Sequence, residues 1–159
     1  MTRLKFLKGR ERMDKETADI LIHSAADARK NARVPLSGFH VGAALLTRSG
    51  EIITGCNAEQ SNMYESICAE RCAITKAVSL GYREFTAVAV VSDAQYPLAP
   101  CGLCRQAIID YGPDIEVIMS NPDKSKVVIM TAGELLPAYD LDGSPLCSPF
   151  EELFEKKGV

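Results

Sequence analysis

Two short segments hold the residue types from which chemistry is built: Cys68-Ala69-Glu70 and Pro100-Cys101-Gly102-Leu103-Cys104. Each opens a stretch with a helical pattern. The start of a helix presents unpaired N–H groups and a partial positive charge, and both favour a thiolate. Cys101 and Cys104 stand three residues apart, so on a helix both sulfurs face one side. Cys68 arrives from the start of the other helix. Three thiolates make a zinc site, one Zn2+ per subunit, with the fourth position open, and an open position separates a catalytic zinc from a structural one. Glu70, two residues past Cys68, is near enough to a water at the metal to carry its proton without being a ligand. Three thiolates leave the Zn2+ site with net negative charge, which blunts the metal's power to acidify water. Arg71 and Arg105, each directly after a ligand segment, are the candidates to offset it by donating hydrogen bonds to the sulfurs.

The two segments together match H-x-E…P-C-x-x-C, the signature of the zinc deaminases, with cysteine in place of the histidine. A lone C-x-x-C is a weak signal, open to a redox pair or half of a structural zinc knot. C-A-E at one helix start with P-C-x-x-C at another, about thirty residues on, is far more specific. The implied chemistry is hydrolytic: zinc activates a water for attack on a carbon bearing an amine, and Glu70 passes protons to the ring nitrogen and the leaving amine.

These residues need elements to place them. Residues 14–31 put Ala18, Ile22, Ala25 and Ala26 on one helical stripe, with Asp14 as N-cap and Glu16 and Asp19 early in the helix. Residues 39–48 and 51–57 read as strands around the tight turn Ser49-Gly50, a hairpin. Residues 67–80 are helical, with Ile67, Ile74, Ala77 and Val78 on one face and Gly81 as the stop. The nearly continuous apolar run 85–92 suits a fully buried strand. Pro100 precedes a helix over 101–111 that Gly112-Pro113 ends. Strands at 115–120 and 126–130, a helical turn at 134–137 and a short helix at 149–156 complete the chain. The order predicts an α/β fold, a single mixed five-stranded sheet layered with helices. It forms one domain over 1–159, with a basic arm at 1–12 and a variable tail at 138–159.

The chain has 159 residues, a net charge of −3 and a pI near 5.4. That charge points away from a surface built to grip nucleic acid. No apolar run approaches the ~20 residues that cross a bilayer, so no membrane partner is expected. With no h-region at the N-terminus, the expectation is a cytoplasmic protein, in which the six cysteines are thiols or ligands rather than a disulfide framework. Cys56 and Cys72 read as core filling and Cys147 as a free thiol. His23 and His40 lack ligand spacing with the cysteines.

From Pro35 to Pro137 the chain resembles the small tetrameric cytidine deaminases. The likeness rests on FHVGAALLT, GCNAE, ICAERCAITKAVSLGY, APCGLCRQ and ELLP. It implies a nucleoside substrate, with Asn57 and Glu59 binding the ribose hydroxyl, Phe39 packing against the pyrimidine ring and the Ala69 backbone touching the base. It also implies a homotetramer whose sites are completed by neighbouring subunits. The chain departs from the family pattern around the sugar and the far side of the base. Gln60–Glu65 differ, with Met63 where a neighbour-contributed Tyr is expected. Leu36 and Ala99 replace a frequent Tyr and Ser, and Ala138-Tyr139-Asp140 follow the ELLP segment where a Phe is usual. The first expectation is therefore deamination of cytidine and deoxycytidine. A modified cytosine nucleoside or nucleoside antibiotic is the alternative. A polynucleotide-editing deaminase needs phosphate contacts that the acidic composition disfavours. A non-catalytic zinc module needs a fourth ligand.

Overall fold

The computed structural model describes residues 13–137. The arm 1–12, the tail 138–159 with Cys147, and the helix expected at 149–156 lie outside the described residues. The order is α1 (Lys15–Arg29), β1 (Val41–Thr47), β2 (Ile52–Cys56), α2 (Ala69–Ser79), β3 (Phe85–Ser92), α3 (Gly102–Ile109), β4 (Glu116–Ser120), β5 (Val127–Thr131) and α4 (Ala132–Leu135). A 3-10 turn at Met63–Glu65 is an addition to the sequence reading. The strands form one sheet in the order β2-β1-β3-β4-β5. β1 is antiparallel to β2 and β3, β3 is parallel to β4, and β4 is antiparallel to β5. The expected mixed five-stranded sheet is what forms. Its one parallel pair is the pair joined through a helix, since parallel strands need a crossover and antiparallel ones only a turn.

Alternation along the strands splits the core into two layers. Ala43, Leu45, Val88, Val90, Val117 and Met119 face α2 and α3, while Ala44, Ala87, Ala89, Val91 and Ile118 face α1. Two glycines set how closely the helices approach. A Cβ at Gly42 would lie 2.0 Å from the Ala25 carbonyl oxygen on α1, and one at Gly55 would lie 2.5 Å from the Ala69 oxygen and the Ala73 nitrogen on α2. No side chain fits at either place, so the two backbones press directly on opposite faces of the hairpin.

Local chemistry explains the element ends. The Asp14 carboxylate accepts from the Thr17 N–H at 2.8 Å and caps α1 as expected. The buried stripe of α1 is Ala18, Leu21, Ile22, Ala25 and Ala28, with Ala26 only half-buried at its margin. α2 starts two residues later than the sequence reading: Ile67 is held in a bridge to Ala58, and Cys68 is the N-cap. α4 starts earlier than the expected turn at 134–137, because Thr131 and Glu134 form a reciprocal capping box.

Candidate active site

Antiparallel pairing brings the start of β1 and the ends of β2 and β3 to one edge of the sheet, beside the start of α3. α2 presses on β2 at Gly55, so its start reaches the same edge. A small ladder extends this edge. The Arg33 N–H donates to the Asn57 carbonyl, the Glu59 N–H donates to the Arg33 carbonyl, and Ala58 and Ile67 exchange both of their bonds. Segment 57–59 thereby lies between residue 33 and the residue that leads into Cys68.

Cys68 and Cys101 are the N-caps of α2 and α3, and neither side chain caps its own helix. Their sulfurs turn toward one another instead, 3.8 Å apart. Cys104, buried in the first turn of α3, completes a cluster whose three sulfurs all lie within 4.8 Å of one another. Four ligands around zinc at Zn–S lengths of about 2.3 Å stand about 3.8 Å apart, so the cluster has the dimensions of three corners of a zinc tetrahedron. Three soft donors with no fourth protein ligand among the described residues suit one Zn2+ per subunit. The hydrogen bond from Cys104 draws the Cys68 thiol down to about 6, aided by Cys101 and the Arg71 charge against the cost of burial. The same contact, with burial and the nearby Glu70, pushes Cys104 up.

Glu70 lies in the first turn of α2, 4% exposed, with its carboxyl against the Cys104 sulfur. Burial raises it to about 7, and the Cys68 charge pushes the same way, while its own N–H, Cys104 and Arg71 pull down. Ala69, between ligand and carboxylate, is fully buried. Arg71 is half-buried, and its charge acts on both Cys68 and Glu70. Arg105 differs from the expected sulfur donor. Among the described residues its hydrogen bonds run to carbonyls, from Nε to Pro100 at 2.8 Å and from Nη1 to Leu135 at 3.3 Å. It braces the peptide before Cys101 against α4.

The other expected site residues sit on the same edge. The Asn57 side chain accepts from the Val41 N–H at 2.8 Å and donates to the Phe39 carbonyl at 2.9 Å. Glu59 is 6% exposed. Its carboxylate accepts from the N–H groups of Leu36 and Ser37 at 2.8 and 3.1 Å and from the Ser37 hydroxyl. The Ser37 hydroxyl chiefly, with these N–H groups and the Arg33 charge, holds the Glu59 carboxyl below the usual range. Both side chains thus shape the loop that carries half-buried Phe39. Sequence reasoning passed over Arg33 and Ser37, because their partners come from β2 and its exit and no local spacing marks them. Cys56 and Cys72 are half-buried thiols rather than core, and His40 pairs with Asp93 at 2.8 Å.

Residues 15–120 match the model of the cytidine and deoxycytidylate deaminase zinc-binding region. The chain belongs to this deaminase family. Cytidine deaminase of Sporosarcina psychrophila is 46% identical over 118 residues, 74% of this chain and 86% of that one. Blasticidin-S deaminase of Bacillus cereus is 41% identical over 106 residues, 62% of this chain and 74% of that one. Among solved structures, cytidine deaminase from Burkholderia pseudomallei superposes with a TM-score of 0.73 at 43% identity, covering 79% of this chain and 98% of that chain. The family's description names zinc binding, and this deaminase carries the sulfur cluster to match. No helix among the described residues is long and apolar enough to cross a membrane.

Proposed function

We propose that this chain is a hydrolytic deaminase of free cytosine nucleosides, converting cytidine and deoxycytidine to uridine and deoxyuridine with release of ammonia. The observation that carries the reading is the buried Glu70 against a cluster of three sulfurs at two helix starts. Cys68, Cys101 and Cys104 would hold zinc, which supplies a polarised water for attack on C4 of cytosine. Glu70 would take one proton of the attacking water and hand it to the N3 ring nitrogen, then carry the oxygen's second proton to the amine as the C4–N bond breaks, leaving the C4 carbonyl and ammonia. Burial keeps solvent from Glu70, so its proton goes to the substrate. Arg71 offsets the charge of the thiolates. Phe39 lies against the pyrimidine, the Ala69 backbone meets the base, and Asn57 and Glu59 take the ribose hydroxyls with the hydrogen-bonding capacity the loop leaves them.

Relatives named cytidine deaminase support the substrate class. The likeness to small tetrameric deaminases supports a homotetramer with shared sites. So do Leu36, Met63, Tyr64 and Leu103, apolar and exposed on segments beside the site. Sedimentation mass tests this, and a monomer at micromolar concentration would overturn the shared-site picture. Ligation by three thiolates needs surroundings that keep cysteine reduced, which supports the cytoplasm, and the relatives named cytidine deaminase support a role in pyrimidine salvage.

A second reading is a cytosine nucleoside antibiotic as substrate. It is favoured by the likeness to a blasticidin-S deaminase and by the altered loop, where Tyr64 is 99% exposed. One assay separates the two. The zinc-loaded protein is followed by ultraviolet absorbance on cytidine, deoxycytidine, 5-substituted cytidines, cytosine, a blasticidin-type nucleoside, adenosine and guanosine, with Glu70→Ala beside it. Turnover of cytidine that the variant lacks supports the first reading. Turnover confined to the antibiotic supports the second. Zinc bound without turnover of any of these would overturn both.

A further inference from the structure

The ladder between β1 and β3 ends at Val41 opposite Ser92. Phe39 and His40 lie beyond it, where a chain would ordinarily lose its ladder partners. Two residues supply bonds in their place, one on each flank, Asn57 through its side chain and Asp93 through both its carboxylate and its N–H. From the β2 side, Asn57 accepts from the Val41 N–H and donates to the Phe39 carbonyl. From the β3 side, Asp93 does the equivalent for His40. Its carboxylate accepts from the His40 N–H at 2.8 Å, and its own N–H donates to the His40 carbonyl at 3.1 Å. The same carboxylate oxygen meets His40 Nδ1 at 2.8 Å. The other oxygen accepts from Arg29 Nη1, the last residue of α1, at 2.9 Å, and Arg29 also reaches the Ser92 carbonyl at 3.0 Å. Burial works against ionisation of Asp93, and the His40 N–H, the His40 ring and Arg29 outweigh it, holding the carboxyl below its ordinary range.

We propose that Asp93, braced by Arg29, is a positioning residue that sets Phe39 against the base by holding the His40 backbone from the β3 side. The proposal rests on the reading of Phe39 as the contact to the pyrimidine. Asn57 and Asp93 form a clamp with Phe39 at its outer end. Asp93 also opens the segment that leads to Cys101, so one carboxylate ties the base-facing loop, the first helix and the approach to the metal ligands. Without it the Phe39 carbonyl and the Val41 N–H keep their partner, while His40 loses both the acceptor for its N–H and the brace to α1.

A double-mutant cycle tests this, with Asp93→Ala, Phe39→Ala and the pair assayed on cytidine beside the parent protein. Loss of an aromatic contact to a base raises KM about tenfold, and because that contact is made equally in ground and transition states kcat changes little. Asp93→Ala should show this pattern with zinc content unchanged, and Asp93→Asn, which keeps an acceptor for the His40 N–H, should recover most of it. In the Phe39→Ala background the further loss from Asp93→Ala should shrink to about twofold or less, because coupled residues are not additive. Equal factors in both backgrounds, or a loss in kcat with lost zinc, would assign Asp93 a general structural role and overturn the proposal. Crystal structures of the parent and Asp93→Ala give an arm independent of turnover. Displacement of residues 38–40 in the variant supports the clamp, and an unchanged segment refutes it. Should the parent protein leave every cytosine nucleoside untouched, the functional reading fails, and this structural arm still decides whether Asp93 holds the loop.

Discussion

At the scale of single residues, the proposed function divides labour between three thiols that would hold zinc and one carboxyl, Glu70, that would move protons. Cys101→Ser should lose zinc and activity together, since a hydroxyl does not replace a soft thiolate at this site. Glu70→Gln should keep one zinc per subunit, by metal analysis, and lose about 10²- to 10⁴-fold in kcat, the usual worth of a general acid–base group. Zinc loss in Glu70→Gln would make Glu70 a ligand instead. Glu59 gives a prediction in pH. Its folded-state carboxyl titrates below the usual range because the Ser37 hydroxyl and two N–H groups favour the charged form. The ionised group therefore stabilises the fold fully above the unfolded value, about 4.3, and that contribution disappears as pH falls through the lower folded value. The gap in unfolding temperature between the parent protein and Glu59→Gln should accordingly be widest near neutrality and narrow in acid. A gap independent of pH would deny the carboxylate this role.

At the scale of elements, the site depends on how near α2 comes to the hairpin. A methyl at Gly55 would meet α2 backbone at 2.5 Å, between Ala69 and Ala73, in the turn that follows Cys68. A methyl at Gly42 would meet α1 at Ala25 and Arg29, on the opposite face. Both Gly→Ala changes should destabilise by about 1–3 kcal/mol, the ordinary cost of overpacking, seen as lower denaturation midpoints. Their effects on the metal should differ. Gly55→Ala moves the helix that carries Cys68 and Glu70, so zinc affinity falls with stability. Gly42→Ala moves α1, which holds no ligand, and zinc affinity should stay close to that of the parent. Equal zinc affinity in the two variants would show that the approach of α2 at Gly55 does not set the cluster.

At the scale of the whole molecule, zinc held by the cluster would join two helices whose N-cap cysteines are 33 residues apart in sequence. Binding to the folded chain alone stabilises it by mass action, about 2.7 kcal/mol when free zinc is a hundredfold above its dissociation constant. Stripping zinc with a chelator should lower the unfolding temperature, and zinc should restore it. Cys101→Ser should show no such response. An unfolding temperature indifferent to chelation would mean that the cluster does not hold metal tightly enough to serve the fold. The rest of the framework needs no metal, since both layers of the core are closed by apolar side chains from α1, α2 and α3.

The sequence by itself determined which cysteines and which carboxyl come together in the candidate site, and the order of the elements. The ligand segments are local: Cys101 and Cys104 are three residues apart, Glu70 is two past Cys68, and each segment starts a helix, so spacing alone marks them. The strands were equally legible, because a period of two and apolar runs are properties of neighbours in the chain. Element ends were less so. Ile67 belongs to a bridge with Ala58 rather than to α2, and α4 opens at the Thr131 capping box, since both ends depend on bonds that a pattern of apolar residues does not show. Only the tertiary structure decided what surrounds the centre. Arg105 turns to the carbonyls of Pro100 and Leu135, Glu59 gathers the Leu36–Ser37 loop, and Asp93 meets His40 and Arg29. Each of these polar groups binds a partner supplied by another element, and the sheet's order, not the chain's, sets which partner that is.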